Sequence, residues 1–238
     1  MRGNEFIVDF HSHILPRVDH GSDSLETTLL QLKAAKKNGV NKIVSTSHFY
    51  PTAHNVDGFL KKRNAAFRAL LESASDIPEI RLGAEVLLCD GIDRLPGLDE
   101  LCLQGTKNLL LELPFTGFNK ESFATIERLV DKEFFVILAH PHRYPYQTIK
   151  SLLPLGVKLQ LNADSIIGFN RLKNKYLFDW ISEGRVVALG SDIHGRDSRA
   201  YGRLRKAFSI ASRFSDVVAR ESYRMFLEST TEYEKHKA

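Results

Sequence analysis

His11 and His13 stand at the end of the apolar run Phe6-Ile-Val-Asp-Phe-His-Ser-His-Ile-Leu-Pro16. Side chains at i and i+2 of a β-strand share a face. Two imidazoles at that spacing can converge on one metal ion. Alone, the pair would equally suit two polar residues at an exposed strand end. Other residues favour the metal. His48 follows the strand-like run 40–46, His140 ends the run 134–139, and Asp192 and His194 follow the run 185–190. Glu85 lies near the end of the run 79–86, and Glu112 lies in Leu109-Leu-Leu-Glu-Leu-Pro114. A carboxylate among leucines is costly unless neutralised. A cation at the strand end would neutralise Glu112, as would a buried arginine. Five of the nine histidines occupy such strand ends. Eight converging His, Asp and Glu ligands exceed one tetrahedral or octahedral site. They suffice for two or three ions if a carboxylate bridges. Mixed imidazole and carboxylate ligands suit Mn, Fe or Zn without separating them.

The elements that must position these residues alternate between strand and helix. The strand-like runs are the opening one, then 40–46, 79–86, 108–114, 134–139, 157–162 and 185–190. Between the first two, Asp23-Ser-Leu-Glu26 has the form of a capping box. Leu25, Leu29 and Leu32 follow at helical spacing, and Gly39 stops the helix. Phe67, Leu70, Leu71 and Ala74 mark a second helix, and Ile126, Leu129 and Val130 a third. Helical segments are expected near 146–153, 171–183, 200–213 and 215–228. Glycine separates helix from strand at Gly39, Gly156 and Gly184. Seven strands with crossovers imply a parallel sheet covered on both faces. Without a linker or low-complexity segment, residues 1–238 read as one α/β domain, a barrel of about seven β/α units. The ligand-type residues then fall at the C-terminal ends of the strands, where such barrels do chemistry.

Composition narrows the function classes. The chain has 238 residues, 43% hydrophobic, enough for a full core. No run approaches the roughly 18 apolar residues of a membrane span. The N-terminus lacks a signal-type h-region, so a cytoplasmic protein is expected. Cys89 and Cys102 do not form a disulfide framework. Cys89 precedes Arg94 by one residue too few for a Cys-x5-Arg phosphate loop, so both cysteines read as packing residues. The net charge is +4, dispersed apart from residues 196–205, which permits an acidic or phosphorylated substrate. There is no basic, aromatic-interleaved nucleic-acid patch.

The ordered motifs Asp9-Phe-His-Ser-His-Ile-Leu-Pro16, Val18-Asp-His-Gly21, Ser45-Thr-Ser-His48, Gly83-Ala-Glu85, Leu111-Glu-Leu113, Ala139-His-Pro-His-Arg-Tyr144, Leu161-Asn-Ala163 and Ser191-Asp-Ile-His194 with Arg199 carry a resemblance. The chain resembles the polymerase and histidinol phosphatase (PHP) superfamily, most of all the bacterial CpsB/YwqE-like tyrosine-protein phosphatases of capsule and exopolysaccharide operons. The resemblance implies a distorted, TIM-like (β/α)7 barrel with a trinuclear metal centre. His11, His13, Glu85 and Asp192 would hold the first ion. Glu85 would bridge to a second, held also by Glu112 and His140. His48 and His194 would hold the third, with a ligand from the Asp19-His20 loop. His20 stands where the group usually has aspartate, and His142 where it usually has glutamate, which bears on substrate preference. Arg143 and Arg199 match substrate contacts. A hydroxide bridging two ions would attack the phosphorus of phosphotyrosine on a tyrosine kinase of polysaccharide export. Three rival readings share parts of this pattern. A small-molecule phosphatase of the histidinol-phosphatase type would use the same fold and metals. An amidohydrolase would lack its bridging lysine and leave Glu85 and Glu112 unexplained. A metal-stabilised scaffold would bind without hydrolysis.

Overall fold

The computed structural model describes residues 7–167 and 175–229. The chain order is β1 (Val8–Ser12), α1 (Leu25–Lys37), β2 (Lys42–Ser45), β3 (His48–Phe49), α2 (Val56–Ser73), β4 (Glu79–Leu82), β5 (Glu85–Leu87), β6 (Asn108–Glu112), α3 (Lys120–Asp131), β7 (Phe135–Ala139), α4 (Tyr146–Leu152), β8 (Lys158–Asn162), α5 (Ala163–Ile167), α6 (Lys175–Ser182), β9 (Val186–Gly190), α7 (Ala200–Ala211) and α8 (Val217–Glu228). Every strand pair is parallel.

The ladders run β1-β2-β4 and β3-β5-β6-β7-β8-β9. The second and third of the seven expected strands are each broken in two, β2 from β3 and β4 from β5. The break at Thr46-Ser47 is held by Thr46 N–H donating to Ser12 O (2.8 Å) and by Gly83 N–H donating to Ser45 O (2.9 Å). The ring closes between the first and last strands. Asp192 N–H donates to His11 O (2.8 Å) and His13 N–H to Ile193 O (3.3 Å). Closure needs a close approach. A Cβ on Gly190 would overlap the His11 side chain, so only glycine lets the end of β9 lie against β1. The result is a distorted TIM-like barrel.

Local chemistry sets the helix ends. The N-cap of α1 is Ser24, whose hydroxyl accepts from Thr27 N–H; Asp23, expected as the cap, instead accepts from the Ser24 and Thr27 hydroxyls. Gly39 follows the Asn38 C-cap with φ +75°, a conformation natural to glycine. Asn55 and Asn119 cap α2 and α3. No helix was expected at α5, which begins directly after β8. Of the helix expected at 171–183, residues 175–182 are helical and 171–174 lie outside the described residues.

The principal core packs strand leucines and valines such as Val86, Leu109, Leu138, Leu159 and Leu189 against helix faces such as Leu32, Leu70, Leu129 and Leu204. A second cluster joins Val8, Phe10, Val44, Leu110, Ile137 and Val187 to Met225 and Phe226 of α8. Arg81 and Lys42 each lie 5.0 Å from the Phe226 ring centre. Thus α8 closes the end where the strands begin. The opposite end carries the polar residues. Among the described residues, no helix is long and apolar enough to cross a membrane.

Candidate metal centre

β1 brings His11 and His13 to the polar rim, both fully buried. Each has its outer ring nitrogen occupied. His11 Nδ1 lies 2.8 Å from Gln160 Oε1. An amide oxygen only accepts, so the proton sits on Nδ1 and Nε2 is bare when the ring is neutral. His13 Nδ1 lies 2.7 Å from Asp19 Oδ2, with the same consequence. The two Nε2 atoms face each other at 3.1 Å. Glu85 Oε2 lies 3.1 Å from His11 Nε2 and 3.3 Å from His13 Nε2. Asp192 Oδ1 lies 3.6 and 3.4 Å from the same atoms. An ion with four ligands at about 2.1 Å has ligand-to-ligand edges of about 3.4 Å. The quartet His11, His13, Glu85 and Asp192 therefore has the spacing of one coordination sphere.

Glu85 is shared. Its Oε1 lies 2.7 Å from His140 Nε2, and Glu112 Oε1 is 3.5 Å from the same nitrogen. Its Oε2 lies 3.0 Å from His48 Nδ1, yet neither atom makes a hydrogen bond of acceptable geometry. His48 Nδ1 is also 4.0 Å from Glu112 Oε2. His13, His48 and His194 offer a further group of convergent ring nitrogens. His194 Nδ1 faces the carbonyl Asp192 O at 3.0 Å, and its buried Nε2 has no hydrogen-bond partner among the described residues. His20 is exposed, and its ring stacks at 4.8 Å on His48 and 4.6 Å on His194. Asp19 is otherwise engaged: besides His13 it accepts from the backbone N–H of His48 (2.8 Å) and Gly21 (2.9 Å). Of the two loop candidates, His20 is thus the one with a side chain to spare.

The crowding of these groups shifts their titration. Burial pushes His11 toward neutrality, but Glu85 and Asp192 outweigh it and raise it to about 9. Burial, then the Glu85 charge, raises Glu112 to about 7. Burial opposes ionisation of Glu85, yet His11, His13 and His140 hold it well below the usual carboxylate range. Burial lowers His194 to about 4, with His13 adding to it. Bare nitrogens, paired carboxylates and orphaned buried atoms crowd together here. That donor set fits multivalent cations better than protons.

The surroundings orient the donors. Gln160 Nε2 donates to Asn162 Oδ1 (3.1 Å), and Asn162 Nδ2 donates to Asp192 Oδ2 (2.7 Å). Asp9 accepts from the Ser191 hydroxyl (2.6 Å) and N–H (2.8 Å), tying β1 to the segment that carries Asp192. His140 and Asp192 have positive φ, +33° and +51°, a strained backbone of the kind functional sites retain. Gln160 was not anticipated. Its one signal was the polar alternation Lys158, Gln160, Asn162, which marks one polar face of β8. Gly21 was assigned no role either. A Cβ there would overlap His13, so glycine lets the loop carrying His20 fold over the imidazole.

The remaining expected residues are Arg143, His142 and Arg199. Arg143 Nη2 donates to Asp192 Oδ2 at 2.6 Å on the open side of the rim. His142 lies edge-on to His140, at 6.5 Å between ring centres, and burial lowers it to about 4. Arg199 stands at the N-terminus of α7 and lines a cleft against α1.

Fold and site together define a β/α barrel whose polar rim gathers imidazoles around a shared carboxylate. The family model described as capsular polysaccharide synthesis, CpsB/CapC, matches residues 7–225, and the chain belongs to that family. It is 24% identical over 209 residues to the tyrosine-protein phosphatase YwqE of Bacillus subtilis, covering 82% of this chain and 80% of that one. It is 25% identical over 235 residues to the tyrosine-protein phosphatase CpsB of Streptococcus pneumoniae, covering 91% and 95%. A structure from the work on YwqE and CpsB, described there as unique metal-dependent tyrosine phosphatases, superposes with a TM-score of 0.75 at 20% identity, covering 94% of this chain and 95% of that one. A phosphotriesterase homology protein from Escherichia coli, with phosphate in its active site, shares the fold at TM-score 0.54 and 16% identity, covering 92% and 98%.

Proposed function

We propose that this chain is a metal-dependent protein-tyrosine phosphatase acting on a phosphoprotein of polysaccharide synthesis. The observation that carries the proposal is Glu85, whose two oxygens face two separate groups of imidazoles and carboxylates. His11, His13, Glu85 and Asp192 are assigned to one ion, and Glu85, Glu112 and His140 to a second. His48, His194 and His20 are assigned to a third. The ions are manganese, iron or zinc. Such ions supply Lewis acidity and acidify water near neutral pH.

The chain's own residues do the rest. Gln160 and Asp19 keep the Nδ1 protons of His11 and His13, so the Nε2 lone pairs face inward. Arg143 offers a phosphate the donors that Asp192 leaves unused, and a guanidinium fork suits phosphate oxygens. It stands where charge spreads over the transferred group. Beyond Glu112, Phe115 is 73% exposed, with its ring centre 6.0 Å from that of Tyr144. Tyr144 is fixed by donating to Leu113 O (2.6 Å). An exposed aromatic at the mouth suits an aryl ester better than a small polar one. Together with the family membership, it favours phosphotyrosine. The partner assigned is a tyrosine kinase of polysaccharide export, met in the cytoplasm, and residues 1–238 act as one domain.

Turnover of a phosphotyrosyl peptide and of histidinol phosphate by metal-loaded protein tests the reading. We expect the peptide to be preferred and a chelator to abolish activity. Activity should survive in Cys89→Ser with Cys102→Ser. Preference for histidinol phosphate would transfer the site to small-molecule chemistry. Full metal occupancy without any hydrolysis would make the chain a scaffold.

A further inference from the structure

We infer that the cleft between α1 and α7 docks an acidic polypeptide segment of the phosphorylated partner, beside the phosphotyrosine; this rests on the phosphatase reading above. The cleft encloses about 650 Å³. Lys33 and Lys37 line it from α1, and Arg199, Arg203 and Lys206 from α7, over a floor that includes Leu30. Among the described residues, no carboxylate lines it. Arg203 is neutralised by Asp164 and Asp197. Lys33, Lys37, Arg199 and Lys206 make no ion pair with any described residue.

This charge pattern works against the fold. Lys33 and Lys37 are four residues apart on one helix face, as are Arg199 and Arg203 at the start of α7. Like charges at that spacing repel. Cations at a helix N-terminus oppose the helix dipole; Asp197 just ahead of α7 offsets Arg203, while Arg199 makes no ion pair with a described residue. Lys37 suits the C-terminal end of the α1 dipole, but folding does not call for Lys33, Arg199 and Lys206 around the same concavity, whereas a cleft of one sign concentrates a ligand of the other. The concave shape and the half-exposed Leu30 (46%) suit an extended chain rather than a flat bilayer.

The cleft is also held in register with the metal centre. The segment between β9 and α7 carries Asp192 and His194 at one end and Arg199 at the other. It is pinned to α1 by Gln31 Nε2 donating to Gly195 O (2.8 Å) and Arg196 Nε to Thr27 Oγ1 (3.2 Å). Asp192 and Arg199 are seven residues apart, so at most about 25 Å of chain separates them, within the span of residues flanking a phosphotyrosine.

The test compares two phosphotyrosyl peptides with the same sequence except for Glu and Asp flanks in one and Gln and Asn in the other. Metal-loaded wild type should favour the acidic peptide by about tenfold in kcat/KM, through KM, and the preference should shrink with salt. Lys33→Ser with Lys37→Ser and Lys206→Ser should reduce it to within about twofold. The same variant should leave kcat on p-nitrophenyl phosphate unchanged. An equal rate on both peptides in wild type, or a preference retained in the variant, overturns the inference. Fluorescence anisotropy with the unphosphorylated acidic peptide needs no turnover. Lysine-dependent binding there supports the docking even if no peptide is hydrolysed, in which case the phosphatase reading alone fails. Lysine-dependent sedimentation with phosphatidylserine vesicles, without peptide binding, would reassign the cleft to a membrane surface.

Discussion

Glu85→Gln removes one charge from the centre of the site while keeping its shape. The Glu85 carboxylate is fully buried, and its oxygens lie within 3.3 Å of ring nitrogens of His11, His13, His48 and His140. An amide keeps one acceptor oxygen but turns N–H bonds on the other group of nitrogens. It cannot bridge two cations. Two consequences can be sized. In metal-free protein, His11 is raised from 6.5 to about 9. That stabilisation is complete below pH 6.5 and is lost as pH rises through 9. At pH 7.5 it amounts to at most about 2 kcal/mol, shared with Asp192, which lowers Tm by roughly 4–8 °C at most in a chain this size. In metal-loaded protein, losing the bridge removes roughly 4 kcal/mol of charge stabilisation, about a thousandfold in kcat/KM. Metal analysis by plasma mass spectrometry, thermal melts with and without metal, and phosphotyrosyl-peptide kinetics read the three effects. Wild-type metal content with kcat/KM within about threefold of wild type would refute a bridging role.

Asp19→Asn should lower metal affinity by about 10- to 100-fold, because the amide no longer holds the His13 Nδ1 proton with a charge. His20→Ala should cost metal and activity, and His20→Asp should restore much of both. A titration in which His20→Ala binds as wild type would leave the third position to water. Arg143→Ala should keep the metals and lose about 10- to 1000-fold in kcat/KM, with Arg143→Lys recovering only part; unchanged kinetics would confine Arg143 to its ion pair with Asp192. The pH dependence should separate metal-free from loaded protein. Glu112 rises from 4.5 to about 7 and His11 from 6.5 to about 9, while His142 and His194 fall to about 4 and oppose Glu112 below 6.5, so metal-free stability should fall as pH climbs from about 6.5 to 9. The Tm gain on adding metal should grow over the same window, because the ions displace those protons. Melts in which the gain is flat with pH would show that Glu112 and His11 keep their protons when metal binds.

Sequence alone determined the donor set and its placement at strand ends. Period-2 spacing, apolar strand runs and glycine punctuation act over a few residues, so they can be read without the fold. The positions of His11, His13, His48, Glu85, Glu112, His140, Asp192 and His194 were legible in that way. The same holds for the parallel barrel, apart from the breaks at Thr46-Ser47 and between β4 and β5. Tertiary structure decided the rest, because these choices depend on groups far apart in the chain. That Asp192 meets His11 and His13 is set by closure of β9 onto β1, which Gly190 permits. Which His11 nitrogen is free is set by Gln160, 149 residues away. That Asp19 orients His13, leaving His20 available, follows from the loop folding back over β1 at Gly21. Arg143 and Arg199 looked alike in sequence; the fold pairs Arg143 with Asp192 and sets Arg199 at the start of α7, where it lines the cleft against α1.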